Sequence, residues 1–118
     1  MQGDWTAVVG LEDLPEGRSV RASLDGEDLL LYRMGDRVLA VSNRCTHQGA
    51  PLHRGAIHAA GSLVTVSCPV HGSTFELAGG RVLRGPATRS LPVFEARINA
   101  GQVEVRPAAD AGAPSGSG

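Results

Sequence analysis

Two short motifs dictate the shape this chain has to take. Cys45-Thr46-His47 and Cys68-Pro69-Val70-His71 lie twenty residues apart and use the only two cysteines of the 118-residue sequence. Thiolate and imidazole are the side chains that bind zinc and iron–sulfur centres. Each motif supplies one of each, so four donors converge only if both segments form loops and the loops meet. A structural disulfide between the cysteines is a poor alternative in a reducing compartment. Common zinc-finger spacing pairs Cys with Cys and His with His, whereas here the order is Cys-His, Cys-His. That interleaving suits a two-iron centre with both thiolates on one metal and both imidazoles on the other. A tetrahedral Cys2His2 zinc site would use the same atoms, and spacing alone leaves it open.

The rest of the chain reads as short strands separated by turn signals, the pattern of an all-β sandwich or barrel. Strands are expected at Trp5–Val9, Ser19–Leu24, Leu29–Met34, Arg37–Ser42, Leu63–Ser67, Thr74–Leu77, Arg81–Leu83, Val93–Ile98 and Gln102–Arg106. Asp25-Gly26, Gly35-Asp36, Gly79-Gly80 and Asn99-Ala100-Gly101 tolerate positive φ and permit tight hairpins between them. No segment has helical periodicity beyond a single turn at Leu11–Leu14. Asn43–Ala60 and Ser67–Ser73 interrupt the rhythm and read as loops, where functional groups tend to sit. One domain is expected over 1–107, followed by a disordered tail at 108–118 that lacks large apolar residues. A chain this short buries about 65% of its unfolded surface, enough for one modest core.

The net charge is −1, and no basic stripe supports nucleic-acid or membrane binding. No apolar run approaches the roughly 20 residues of a membrane span, and Met1–Trp5 lacks a secretory leader's basic and apolar regions. A soluble protein of the cytoplasm is therefore expected, and it is read as a monomer.

The two motifs in full, Cys45-Thr46-His47-Gln48-Gly49-Ala50-Pro51-Leu52 and Cys68-Pro69-Val70-His71-Gly72-Ser73-Thr74-Phe75, closely resemble the cluster-binding loops of Rieske proteins. The likeness continues through Gly79-Gly80-Arg81 and Gly85-Pro86-Ala87, the latter similar to the proline-containing loop that covers the cluster in that family. Asp13–Gly17 and Ala40–Arg44 match as well, so the resemblance spans residues 5 to about 106. It implies an antiparallel β-sandwich with a small cluster-binding subdomain of two loops. It also implies a [2Fe–2S] cluster on Cys45, His47, Cys68 and His71, supported by Gly49, Pro69, Gly72, Ser73, Phe75 and Pro86. The first loop is a few residues longer than is usual, with the excess expected in Ile57–Ser62.

Rieske centres span roughly −150 to +300 mV, and the surroundings set the position within that range. High-potential members carry an extra disulfide, whose positions here resemble Ala50 and Val70. They also donate hydrogen bonds to cluster sulfurs from a Ser and a Tyr. Ser73 keeps one donor, while Phe75 has no hydroxyl, so the resemblance implies a low potential. This pattern is similar to the ferredoxin components of aromatic-ring dioxygenases. A flavoprotein ferredoxin reductase would then supply electrons and a terminal oxygenase would receive them through transient docking. The carrier itself would not be an enzyme. Competing readings are a small Rieske subunit of a nitrite-reductase-type enzyme and a structural zinc or interaction module.

Several residues have plainer readings. His53 and His58 are read as solvent-exposed imidazoles, and Trp5 as core or edge packing. Glu12, Asp13 and Glu16 are read as a solvated turn. Arg44, Arg54 and Arg84 fall near the expected cluster end, where scattered surface charge is preferred over a docking role.

Overall fold

The computed structural model describes residues 5–108, so the tail expected at 108–118 lies outside the described residues except for Ala108. Strands β1 (Thr6–Gly10), β2 (Ser19–Leu24), β3 (Glu27–Met34) and β4 (Arg37–Ser42) precede a long excursion. The excursion contains β5 (Ala56–Ala60), β6 (Leu63–Ser67), β7 (Thr74–Glu76) and β8 (Val82–Arg84). The chain then closes with β9 (Val93–Asn99) and β10 (Gln102–Pro107). Six strands form one antiparallel sheet in the order β1-β10-β9-β4-β3-β2, and β5-β6-β7-β8 form a separate meander. β9 returns to pair with β4 through Val41↔Val93 and Ala40↔Phe94, so residues 43–92 are one insertion between adjacent strands.

The centre of the large sheet is buried on both faces. Leu29, Leu31, Val38 and Ala40 point into one core with Leu14, Ala22, Leu24, Val103 and Val105. Leu30, Tyr32, Leu39 and Val41 point the opposite way, into a second core with Leu52, Val64, Val66, Phe75, Leu77 and Leu91. Successive strand residues face opposite sides, so the unbroken apolar run Leu29-Leu30-Leu31-Tyr32 is what a strand covered on both faces requires. The edge strands β1 and β2 approach one another, curling the sheet around the first core. At the β2–β3 hairpin Asp25 and Gly26 have φ of 50° and 85°, the two positive values of a two-residue turn matched to strand twist.

The antiparallel all-β expectation holds, with strand ends shifted by a residue or two. One element differs. The sequence of Asn43–Ala60 reads as loop throughout, yet β5 emerges at Ala56 and pairs with β6 from Ala56↔Ser67 to Ala60↔Leu63. Ala-Ile-His-Ala-Ala has neither β-branched density nor clean alternation, and its strand conformation comes from the β6 ladder beside it. The longer stretch at Ile57–Ser62 is thereby built into a hairpin. The subdomain is accordingly more than two loops, because a four-stranded sheet carries them.

Leu31 is fully buried in the core enclosed by the curled sheet. Leu31→Ala is expected to lower the unfolding free energy by about 3 kcal/mol. The measurement is a fall in urea midpoint with an unchanged slope.

Candidate metal centre

The register of the meander brings every candidate group to one end of the small sheet. Ala56 at the start of β5 pairs with Ser67 at the end of β6. Ser67 pairs with Thr74 at the start of β7, and Thr74 pairs with Arg84 at the end of β8. The first loop (43–55) enters at this end and the second (68–73) turns there. The third segment, beginning at Gly85, leaves from there. The convergence demanded by the two motifs is thus a consequence of strand pairing.

The two loops are closed in the same way. The Cys45 amide donates to the Ala50 carbonyl at 2.9 Å, and the Cys45 carbonyl accepts from Gly49 at 2.7 Å. In the second loop Cys68 donates to Ser73 at 2.7 Å and accepts from Gly72 at 3.1 Å. Gly49 and Gly72 have φ of 74° and 78°, so the backbone reverses alike in both. Each turn buries its thiol, with Cys45 2% and Cys68 5% exposed and neither in a disulfide. Each leaves its imidazole exposed. The His47 and His71 rings meet edge to face, with centroids 5.4 Å apart and planes at 74°. In the first loop the His47 amide also donates to Cys45 Sγ at 3.4 Å.

The third segment locks onto the second loop through Ser73. Its fully buried Oγ accepts from the Ala87 amide at 3.1 Å. Among the described residues no acceptor takes the Ser73 hydroxyl proton. A buried hydroxyl donor left over in the loop that closes on the buried Cys68 is the arrangement a cluster sulfur would complete. Gly85 makes this contact possible, because a Cβ there would stand 2.6 Å from Ser73 Cα. Gly55 does the same for the first loop, where a Cβ would overlap the Ser67 carbonyl oxygen. Of the other supporting residues, Phe75 is fully buried beneath the loops, while Pro69 and Pro86 are exposed.

The base of the first loop holds a polar network that motif spacing does not announce. Asn43 is fully buried and its carbonyl accepts from Leu52 at 2.7 Å, closing the loop. Its Oδ1 accepts the His53 amide at 2.7 Å, which orients the carboxamide. Its Nδ2 then donates to Asp28 Oδ2 at 3.1 Å and to His53 Nδ1 at 2.7 Å. His53 is therefore not a free surface imidazole: it is half-buried and braces the loop. His58 is exposed on β5, as expected. Asp28 also pairs with Arg21 at 2.8 Å. Burial works to raise its carboxyl pKa, but the Arg21 and Asn43 hydrogen bonds and the Arg21 charge outweigh it and hold it below the ordinary value.

Among the described residues no three Cys, His, Asp or Glu side chains gather as a single-ion site. A two-iron core, with two protein donors at each of two metals, does not require such a group. A groove of about 760 Å3 lies elsewhere, where β4 and β9 diverge, lined by residues such as Leu11, Arg33, Phe94 and Ile98. It holds no Cys or His and is remote from the chemistry of the loops. Trp5 is half-buried at the sheet edge, between the guanidinium groups of Arg97 and Arg106 at 4.4 and 4.2 Å. Among the described residues no helix is long and apolar enough to cross a membrane.

A family model described as a Rieske-like [2Fe-2S] domain matches residues 4–106. The ferredoxin component of the naphthalene 1,2-dioxygenase system of Pseudomonas aeruginosa is 28% identical over 89% of this chain and 97% of its own length. A structure of the complex of reduced oxygenase and oxidized ferredoxin in carbazole 1,9a-dioxygenase contains a similar chain. That chain is 33% identical, with a TM-score of 0.72 over 86% of this chain and 91% of its own. A protein assigned as the small subunit of an NADH-dependent nitrite reductase from Mycobacterium tuberculosis is also 33% identical. Its TM-score is 0.74 over 89% of this chain and 96% of its own.

The Asp28 network sets an acid limit on stability. A carboxyl held below its unfolded value of about 3.9 contributes fully above that pH, and the contribution disappears as pH falls through the folded value. Asp28→Asn is expected to flatten the decline of the urea midpoint below about pH 5 and to leave a lower, less pH-dependent midpoint at neutrality.

Proposed function

The chain belongs to the Rieske-like [2Fe-2S] domain family, and on that premise we propose that it is a low-potential one-electron carrier. In this reading it is the ferredoxin component of a multicomponent aromatic-ring oxygenase system. It takes electrons from an NAD(P)H-dependent flavoprotein reductase and passes them singly to a terminal oxygenase. The unit that does this spans residues 1–107 and works as a monomer in the cytoplasm.

The observation that carries the proposal is the layering of the site, two buried thiols beneath two exposed imidazoles in edge contact. Cys45 and Cys68 would hold the inner metal and His47 and His71 the outer one. When bound, such a cluster accepts and releases one electron, at potentials of roughly −150 to +300 mV across the family. The chain's own residues then do three things. Buried Leu52, Phe75 and Ala87 help exclude water from the thiol side. Ser73 holds its hydroxyl proton available, anchored by Ala87. The exposed histidine rings give an electron a short way out to a docked protein, in an encounter of the small, weak kind usual for redox partners. Val70 is exposed and Ala50 is apolar, so neither loop carries the thiol of an added disulfide.

The likeness to the nitrite reductase small subunit supports a second reading, permanent assembly with a catalytic subunit. Elution as a coloured monomer favours the free carrier over it.

The purified protein is expected to show visible absorption that bleaches with dithionite, and a colourless zinc-loaded protein refutes the proposal. His71→Ala should destroy that absorption, whereas His58→Ala should leave it intact. Because Phe75 lacks the second sulfur donor, the midpoint potential is expected well below about +100 mV in a redox titration.

A further inference from the structure

The segment that bears the imidazoles has a net positive charge, whereas the rest of the chain has a net negative one. The inserted residues 43–92 contain five Arg and one acidic residue, a net of +4, while the remainder contains six Arg and eleven acidic residues, a net of −5. The one acidic residue of the insertion, Glu76, lies 3.4 Å from Arg81. Arg54, Arg84 and Arg89 are exposed, and among the described residues none has an acidic side chain in ion-pair range.

Backbone contacts fix all three beside the candidate loops. Arg54 precedes Gly55, which packs on Ser67 one residue before Cys68. Arg84 pairs with Thr74 and precedes Gly85, which packs on Ser73. The Arg89 carbonyl accepts the Thr46 hydroxyl at 2.6 Å, between Cys45 and His47. At the same end Val70 is 53% exposed, a large apolar side chain next to His71. Arg44 belongs less directly, since it turns toward a depression shared with Arg21 and Asp28.

We propose that the imidazole end is a docking face for an acidic protein surface with a small apolar centre, engaged by Arg54, Arg84 and Arg89 around Val70. This rests on the carrier reading and names the chemistry of that carrier's electron-transfer partner. A positive face on a protein of slightly negative net charge orients the molecule as it approaches an anionic partner. The encounter is thereby biased toward poses with the histidines in front.

The test uses the intact, metal-loaded protein and two small one-electron oxidants, trianionic hexacyanoferrate(III) and tricationic tris(phenanthroline)cobalt(III). Each takes one electron from the dithionite-reduced protein, becoming hexacyanoferrate(II) or the cobalt(II) complex, and stopped-flow absorbance gives the rate constant. Evenly spread net negative charge would make the anion's rate rise with salt. The proposal requires it to fall, about threefold or more between about 10 and 200 mM salt, with the opposite slope for the cation. Arg54→Glu/Arg84→Glu/Arg89→Glu should reverse both slopes, and Arg18→Glu on the base should preserve them. Retention on a cation-exchange resin at pH 7 provides a readout independent of redox chemistry, expected for the native chain and lost in the triple variant. A coloured protein with flat or reversed slopes, or unchanged retention in the triple variant, overturns the docking proposal alone. A protein with no bleachable absorption overturns the carrier reading and the docking proposal with it.

Discussion

Cys45 and Cys68 each spend both backbone polar groups on closing their own loop. The amide bonds to the residue five positions ahead and the carbonyl to the glycine four ahead. A buried thiol is thus held by main-chain geometry before any metal is considered, and the imidazole that follows is turned outward. Because both loops use this scheme, the site is a near-repeat of one device on two segments. The thiols form its floor and the imidazoles its rim. Several other features of the insertion keep those two turns face to face. The small sheet brings their ends together, Gly55 and Gly85 permit close backbone approach, and Ser73 ties in the third segment.

The large sheet contributes a foundation. β3 and β4 are buried on both faces, so the core under the loops and the core inside the curled sheet share the same two strands. Asn43 stands where β4 gives way to the first loop and bonds to both sides of that boundary, to Asp28 on β3 and to Leu52 and His53 in the loop. A buried carboxamide with all its partners in place specifies one arrangement of its neighbours. The loop's orientation relative to the sheet is therefore set by hydrogen bonds as well as by packing.

Much of this was legible in the sequence because it depends on local rules. Period-two patterning and turn residues located nine strands, and the Cys/His spacing located both loops. What escaped depends on partners distant in sequence. β5 is a strand because β6 offers it a ladder, and nothing in Ala56–Ala60 alone calls for one. His53 looked like an idle imidazole because its bonding partner lies ten residues away, at a position whose importance comes from burial. Gly55 carries no turn signature, and its need for a missing Cβ appears only when Ser67 is placed against it. Asn43, too, was visible as a residue but not as a hub.

The setting of Trp5 has a practical corollary. It is the chain's one tryptophan, stacked between two guanidinium groups on the β9–β10 pair, and the candidate metal loops belong to the other sheet. Its fluorescence would report on the foundation, while visible colour would report on the inserted end. Comparing the two signals during denaturation separates loss of the metal site from collapse of the protein. In a molecule whose two halves share their central strands, the two curves should nearly coincide.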